Sequence, residues 1–394
     1  QEPDRFVPLL TETARVRKTL EGHTAGASEK KLMGYLAAGI SSCHEPIKSE
    51  EVLDRLRLGL HVIVREGSIR RDLVEIAKIK DAGVDLRRLT LVSDGIDPSD
   101  LIEKGYMEYI VQKAIDCDFD PVTAIQMATL NVAEHFRLDN MIGGIAPGRY
   151  ADMLIIPDER TIRPEYVISN GKIISKNGKL LVSPRTHVFT QNSLNTIRLA
   201  EDLKAEDFSI LTPNAISHAK VRAIQMVSDL VTRETVFEVQ ATDGEIRADV
   251  NQDILKIAVV DRTIVPGKTY VGLLKGFGLK SGALACSAAW DTTNIIVAGS
   301  DESDMALAVN RIRELQGGAV ICSKGEILEE LPLPIFGIMS DLPLKEIDHK
   351  LKAITATASQ LGVILPNPLL SLITLTGAAI PFLRICEEGL VDIK

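Results

Sequence analysis

Three side chains with metal-binding chemistry stand where apolar runs give way to turns. His23 lies in EGHTAG, His44 ends AAGISSCH, and Asp94 follows LTLVS. Residues at the carboxyl ends of consecutive parallel strands meet at one rim when the strands close into a barrel. Two neutral imidazoles and a carboxylate suit a divalent metal. The spacing therefore predicts a metal site at strand ends, although a single histidine is more often an ordinary core or surface residue.

Alternating helix-like and strand-like segments would position these residues. Helical spacing of apolar residues predicts helices over residues 28–38, 49–60 and 71–82. Strand-like runs lead into His23 and cover residues 40–43, 61–64 and 89–92. This alternation is typical of βα units around a parallel sheet. A full eight-stranded barrel needs roughly 250 residues, so the sequence predicts an α/β fold with part of a TIM-like barrel.

The pattern changes after residue 140. Short β runs with Asn170-Gly171 and Asn177-Gly178 turns predict a small antiparallel sheet over residues 143–183. Residues 187–394 read as a second region of mixed type, in which residues 303–316 and 347–361 have the apolar spacing of helices. We therefore expect domains at 1–140, 141–186 and 187–394.

Composition limits the partners. The chain has 394 residues, 45% of them hydrophobic, and a formal net charge of -9. An acidic chain does not neutralise phosphates over a broad face, so we expect no nucleic-acid partner and a small-molecule ligand instead. The longest apolar stretch is too short and too interrupted to cross a bilayer, so no membrane partner is expected. Five scattered cysteines without paired spacing favour the cytoplasm.

Further candidates for proton transfer and binding flank the three residues. Glu45 and Glu66 are either general acid/base groups or solvated carboxylates in turns, and Arg65 either clamps a substrate or pairs with Glu66. The other histidines lack such a setting, and we expect them to be structural or solvated. They are His61, His135, His187, His218 and His349.

Several sequence blocks together resemble the adenine deaminases of the amidohydrolase superfamily, from about residue 20 onward. The blocks are GHTAGASEKKLMGYLAAGISSCHEP, LRLGLHVIVREGSIRRDL, VSDGIDPSDLIEKG, DPVTAIQMATLNVAEHF, IGGIAPGRYADMLII, DMALAVNRIRELQGGAV and LPLPIFGIMSD. The resemblance implies that residues 1–140 are the C-terminal half of the barrel and 141–186 a β-sandwich segment. Residues 187–394 would be the additional C-terminal α+β domain of adenine deaminases.

The resemblance also implies a binuclear divalent metal centre of Mn, Fe or Zn and hydrolysis of adenine to hypoxanthine and ammonia by a metal-activated water. His23, His44 and Asp94 match the histidines of the fifth and sixth strands and the aspartate of the eighth. Asp94 and Glu66 would be catalytic. The implied substrate-binding residues are Glu45, Arg65 and Ser68. A role in purine salvage, a cytoplasmic location and a homo-oligomer are expected.

The chain departs from the family pattern in two places. It contains no HxH pair and no counterpart of the carboxylate on the fourth strand, so we expect these partners to lie upstream of Gln1. In the last region it reads Trp290-Asp291-Thr292-Thr293-Asn294, where the family usually has a histidine-bearing block. The alternatives are an amidohydrolase acting on another cyclic amide or amidine, or a catalytically silent paralogue.

Overall fold

The computed structural model describes residues 2–213 and 216–393. The chain divides into two compact units, one up to Thr186 and one from His187. Neither unit contains, in the ranges described, a helix that is long and apolar enough to pass through a membrane. All five cysteines are free thiols, and three of them are buried.

The first unit combines short helices with two small sheets. Its helices are α1 (Pro3–Arg15), α2 (Glu29–Ala37), α3 (Ser49–Arg57), α4 (Leu73–Ile76), α5 (Pro98–Glu103), α6 (Met107–Asp116), α7 (Pro121–Ala128) and α8 (Leu130–His135). Its strands are β1 (Ser42–Cys43), β2 (His61–Arg65), β3 (Leu89–Val92), β4 (Met153–Ile155), β5 (Tyr166–Ser169), β6 (Lys172–Lys176) and β7 (Lys179–Leu180).

A parallel sheet in the order β1-β2-β3 carries the core of this unit. Val62 and Val64 of β2 and Leu89 of β3 are fully buried in one apolar cluster with Ile110 of α6 and Met127 of α7. The strands predicted over 61–64 and 89–92 are thus confirmed. Parallel strands are usually buried on both faces, which explains why these runs are almost uniformly apolar.

The strand expected before His23 was wrong, because residues 2–186 as described contain three parallel strands where we expected four. The segment between α1 and α2 is irregular, and the amide of Ser41 donates to the carbonyl of Leu20 at 2.8 Å. A run rich in Arg and Lys with so little ladder bonding gains too little burial to form a regular strand.

The second sheet is antiparallel in the order β4-β5-β6-β7, as predicted for residues 143–183. Both of its predicted turns have positive φ at both central residues, 49° and 74° at Asn170-Gly171 and 48° and 75° at Asn177-Gly178. Asn and Gly tolerate this backbone, which matches the twist of a two-residue hairpin.

The second unit is built on a larger sheet. Its helices are α9 (Gln191–Leu194), α10 (Glu302–Leu315), α11 (Leu344–Gln360) and α12 (Pro368–Ile373). Its strands are β8 (Ile210–Leu211), β9 (His218–Met226), β10 (Thr232–Thr242), β11 (Glu245–Ile246), β12 (Ile254–Val260), β13 (Thr269–Lys275), β14 (Ala283–Cys286), β15 (Ile295–Gly299), β16 (Gly318–Ser323), β17 (Glu326–Pro332), β18 (Phe382–Cys386) and β19 (Gly389–Ile393).

Ten of these strands form one sheet in the order β17-β16-β14-β15-β12-β13-β9-β10-β11-β8, and β18 pairs with β19. Strand β12 is buried throughout, with Leu255 and Val259 in one apolar cluster and Val260 in another. Ile257 packs in the cluster that includes Ile354 of α11, whereas Ala258 packs with Val309 of α10. Helices therefore cover both faces, and the helices predicted over 303–316 and 347–361 are confirmed.

One pairing in this sheet differs from its neighbours. Strand β13 runs parallel to β9, in register at Leu274 with Ile224 and Lys275 with Gln225. The other strand pairs of the sheet are antiparallel, and β9 with β10 alone has nine register pairs. A short parallel contact therefore joins the β8–β11 part of the sheet to the rest.

Candidate metal centre

Parallel pairing brings three loops of the first unit to one edge of its sheet. Strand β1 ends one residue before His44, β2 ends at Arg65, and β3 ends two residues before Asp94. The register pairs Cys43 with Val62 and Arg65 with Val92, so the carboxyl ends lie side by side. His23 comes from the irregular segment next to β1.

Two imidazoles converge on one carboxylate at this edge. Nε2 of His23 lies 2.8 Å from Oε1 of Glu45, and Nε2 of His44 lies 3.0 Å from the same oxygen. The ring centroids of the two histidines are 4.9 Å apart. One ligand atom from each of the three residues lies within 4.8 Å of the others. Such a set of nitrogen and oxygen atoms fits a divalent cation, whose bonds to these atoms are about 2.0–2.2 Å long.

Arg65 connects this group to Asp94. Its Nη1 lies 3.1 Å from Oε1 of Glu45 and 3.4 Å from Oδ2 of Asp94, and its Nε lies 3.5 Å from Asp72. The arginine side chain is only 5% exposed, and its buried Nη2 has no hydrogen-bond partner among the described residues. Arg65 therefore pairs with these carboxylates, and the expected alternative of a pair with Glu66 is not seen.

The surroundings of Glu45 stabilise its charged form. Burial opposes ionisation, but the hydrogen bond from His44 and the charges of Arg65 and His23 outweigh it and lower the pKa of Glu45 to about 2. At neutral pH this carboxyl is an anion, as a metal ligand must be.

Asp94 is held apart from the histidines. Its side chain is 46% exposed and reaches Glu45 only through Arg65. Its φ of 46° places it in the left-handed region, where Asp is among the more tolerated residues. The prediction that His23, His44 and Asp94 form one ligand set stays a prediction, and the geometry puts Glu45 closest to the two histidines.

Glu66 and Ser68 make their contacts within the protein. The carboxylate of Glu66 is 2% exposed, lies 2.6 Å from Nζ of Lys113 and accepts from the amide of Leu73 at 3.3 Å. Ser68 Oγ donates to Asp100 at 2.8 Å and accepts from the amide of Asp97 at 2.7 Å. Neither side chain is brought into contact with His23 or His44 by any bond in the described residues.

The loop after β2 lies directly against the loop after β3. The amide of Ser68 donates to the carbonyl of Gly95 at 2.9 Å. A Cβ at Gly67 would meet the carbonyl oxygen of Ser93 at 2.1 Å and that of Gly95 at 2.5 Å. Only glycine permits this approach, so Gly67 sets the distance between the two loops.

Glu45 was expected to bind substrate, and its place beside both histidines was not predicted. The signal was available, because Glu45 directly follows His44 at a strand end. Two of the remaining histidines, which we expected to be structural or solvated, lie against each other. His135 is buried, bonds to Glu21 at 2.8 Å, and lies with its ring centroid 4.2 Å from that of His61.

The block Trp290–Asn294 belongs to the second unit. The carboxylate of Asp291 accepts from the amide of Ala378 at 2.6 Å, and the amide group of Asn294 donates to Glu387 at 2.8 Å. These polar side chains thus fix the loop to the C-terminal segment of their own unit.

Comparison with known proteins gives two family matches. Residues 11–174 match the amidohydrolase family, and residues 229–394 match the adenine deaminase C-terminal domain. An adenine deaminase from Clostridium botulinum is 35% identical over 98% of this chain and 64% of its own length. An adenine deaminase from Moorella thermoacetica is 37% identical over 97% of this chain and 65% of its own length. The chain thus spans less than two thirds of these relatives.

A solved structure is more distant. The structure of enamidase, described as a member of the amidohydrolase superfamily, is 18% identical with a TM-score of 0.33. The similarity extends over 43% of this chain and 51% of the enamidase chain.

Proposed function

We propose that the chain takes part in the metal-dependent hydrolysis of adenine to hypoxanthine and ammonia, because residues 11–174 match the amidohydrolase family, residues 229–394 match the adenine deaminase C-terminal domain, and an adenine deaminase is 35% identical to it. The observation that carries the proposal is the convergence of His23, His44 and Glu45 at the carboxyl edge of the parallel sheet, within the residues that match the amidohydrolase family. Adenine as the substrate rests on the relatives named adenine deaminase.

The residues proposed to hold the metal are His23, His44 and Asp94, with Glu45 as a further carboxylate in reach of both imidazoles. A divalent cation bound there lowers the pKa of water and so supplies a nucleophile near neutral pH. Mn, Fe or Zn and a binuclear centre belong to this proposal, and imidazole and carboxylate ligands are compatible with each of these ions.

The reaction needs proton carriers at defined atoms. Oxygen of water bonds to C6 of adenine, the bond from C6 to the amino nitrogen breaks, and ammonia leaves. One proton of the water ends on ring nitrogen N1 and the other on the departing amine. Asp94 is the proposed carrier, because its carboxylate is exposed to a ligand and held by Arg65 at 3.4 Å.

Three further side chains are proposed to bind substrate: Glu45, Arg65 and Ser68. Arg65 has the strongest support, because its Nη2 is buried without a partner and can donate to a ring nitrogen. Ser68 already bonds to Asp100, so it would have to exchange that bond for one to the substrate.

Glu66 is proposed as the acid that protonates the ring nitrogen. Its place directly after β2 supports this role, whereas its ion pair with Lys113 supports a structural one. Glu66→Gln distinguishes the two roles, because loss of an acid lowers kcat and changes its pH profile, whereas loss of the ion pair lowers stability.

The wider assignments are proposals as well. We propose a partial barrel over residues 1–140, a β-sandwich segment over 141–186 and a further domain over 187–394. We also propose a cytoplasmic enzyme of purine salvage that forms a homo-oligomer. The two compact units meeting at residues 186 and 187 support the last of these domain boundaries.

The test is release of ammonia from adenine by the metal-replete protein. Asp94→Asn should abolish turnover with little change in melting temperature, whereas Asp81→Asn, in an exposed turn, should leave turnover unchanged. Normal turnover in the Asp94→Asn protein removes Asp94 from the mechanism. Absence of ammonia release from adenine, with turnover of another cyclic amide or amidine, would replace adenine as the substrate.

A further inference from the structure

Three buried side chains lie directly behind the converging histidines. Thr24 follows His23 in the chain, Cys43 precedes His44, and Arg55 lies on α3. Thr24 and Cys43 are fully buried, and Arg55 is 2% exposed. None of the roles described above uses these three residues.

The sulfur of Cys43 joins the two loops that carry the histidines. The hydroxyl of Thr24 donates to Cys43 Sγ at 2.7 Å. The backbone amide of Glu45 donates to the same sulfur at 3.3 Å. One atom thus links the residue after His23 to the residue after His44.

Arg55 bonds to the loop that follows His23. Its Nε donates to Thr24 Oγ1 at 3.1 Å, and its Nη2 donates to the carbonyls of Thr24 at 2.7 Å and Ala27 at 3.2 Å. Its Nη1 donates to the carbonyl of Glu51 on its own helix at 3.0 Å. The planar guanidinium thereby fixes the direction of the backbone just after His23.

These partners are unusual for a buried cation. The hydrogen-bond acceptors of Arg55 within the described residues are one hydroxyl and three carbonyl oxygens, without a carboxylate. Burying a charge is costly unless it is well paired. A guanidinium that only filled space here would therefore be costly. Its Nε and Nη2 instead donate to the loop that follows His23.

We infer that Arg55, acting through Thr24 and Cys43, is a positioning residue that sets His23 against His44 and Glu45. This inference rests on the proposed function, in which those three residues lie in a metal centre. Arg55 touches neither a ligand atom of the centre nor the reacting groups. Partners behind metal ligands fix ring orientation, and their loss typically weakens metal affinity about 10–100-fold.

The same helix offers a matched control. Arg57 also lies on α3, but it is exposed and approaches Asp54 only at 3.9 Å. Arg55→Lys keeps the charge and removes the fork, and Arg57→Lys makes the same change at the surface. Thr24→Val keeps the shape of the side chain and removes the hydroxyl that bonds to both Arg55 and Cys43.

The first measurement is titration of the metal-free full chain with Co²⁺, followed by the visible spectrum of the bound ion. Arg55→Lys and Thr24→Val should each weaken Co²⁺ binding about 10–100-fold, with a changed spectrum. The double variant should bind Co²⁺ no more weakly than the single variant with the lower affinity, because both changes break one network. Arg57→Lys should match the parent protein.

Hydrogen exchange measured by mass spectrometry supplies a second readout that needs no metal. Exchange should accelerate in residues 22–28 and 43–46 of the Arg55→Lys protein and stay unchanged in the Arg57→Lys protein. If the parent protein binds no Co²⁺, the proposed metal centre fails, and this exchange pattern still decides whether the network positions the loops.

The inference is overturned if both Arg55→Lys and Thr24→Val bind Co²⁺ and exchange like the Arg57→Lys protein. It is also overturned if exchange accelerates evenly over the whole first unit, since that is the result of a merely structural role. Should Arg55→Lys fail to fold, Thr24→Val decides by the same two measurements.

Discussion

Both units bury cations, and the two units use them differently. In the first unit Arg65 joins Glu45 to Asp94, and Arg55 bonds to the loop that follows His23. Each of these arginines therefore acts on a loop at the carboxyl edge of the parallel sheet, where the candidate chemistry lies.

In the second unit the buried cations hold the scaffold together. Lys256 is in the middle of β12, 1% exposed, and pairs with Glu245 of β11 at 2.9 Å and with Glu302 of α10. Arg262 donates from Nη2 to the carbonyl of Phe336 at 2.9 Å and from Nη1 to the hydroxyl of Thr196. These bonds connect elements distant in sequence.

The two kinds of buried cation should respond differently to substitution. Replacing a cation that holds a loop beside the histidines should change the geometry of the metal ligands more than the free energy of unfolding. A cation inside a fully buried strand is tied to the folded state as a whole. Variants of the two groups should therefore separate metal affinity from global stability, and four predictions test that separation.

The largest effect is expected at the centre of the large sheet. Lys256→Met keeps the side-chain volume but removes the buried cation that Glu245 and Glu302 share, so the free energy of unfolding should fall by about 3–5 kcal/mol. Lys268→Met removes a surface ion pair with Glu388 and should change stability by less than about 1 kcal/mol. Urea unfolding measures both, and equal losses would contradict the proposed role of Lys256.

Gly67→Ala should lower the free energy of unfolding less than Lys256→Met does, but it should weaken metal binding more. The added Cβ must displace the carbonyls of Ser93 and Gly95, and with them Asp94, at a cost of about 1–3 kcal/mol. Gly34→Ala in α2 is the control, because its Cβ meets nothing within 4 Å. Weaker metal binding in Gly67→Ala alone would show that this loop sets the geometry of the metal centre, and an unchanged affinity would show that it does not.

The first unit should also contribute a pH dependence through His61. Burial, with help from the charges of His135 and Arg88, lowers the pKa of His61 to about 4, so the folded state favours the neutral ring. Its contribution to stability is complete above pH 6.5 and is lost as the pH falls from about 6.5 to about 4.

Urea unfolding at pH 7 and pH 5 measures this contribution. His61→Gln should lose less stability between the two pH values than the parent protein does. His349→Gln, at an exposed position of α11, should behave like the parent. Identical pH dependence in the parent and His61→Gln proteins would show that the ring contributes nothing.

The smallest effect, and one equal in both units, is expected at helix N-caps. Asp120 accepts from the amide of Thr123 at the start of α7, and Asp301 accepts from the amide of Asp304 at the start of α10, each at 3.0 Å. Asp120→Ala and Asp301→Ala should each destabilise the protein by about 0.5–2 kcal/mol. Thermal unfolding measures the two losses, and a large inequality would mean that local capping depends on the unit.

Sequence pattern predicted the elements better than the contacts of the site. Strands β2 and β3 and helix α10 follow from apolar spacing, because periodicity reports which face is buried. The pairing of Glu45 with both histidines depends on how two loops converge, which spacing does not encode. Burial of Arg55 was visible only as a weak signal, since it lies three residues after the buried Val52 on one helical face.

The parallel contact between β13 and β9 has a consequence for how the second unit opens. It is a short seam with two register pairs, whereas β9 with β10 has nine and β12 with β13 has seven. Native proteins open in cooperative pieces whose borders fall where few bonds cross. Under mild denaturant, the backbone amides along this seam should therefore lose protection from hydrogen exchange before those of β12 and β15.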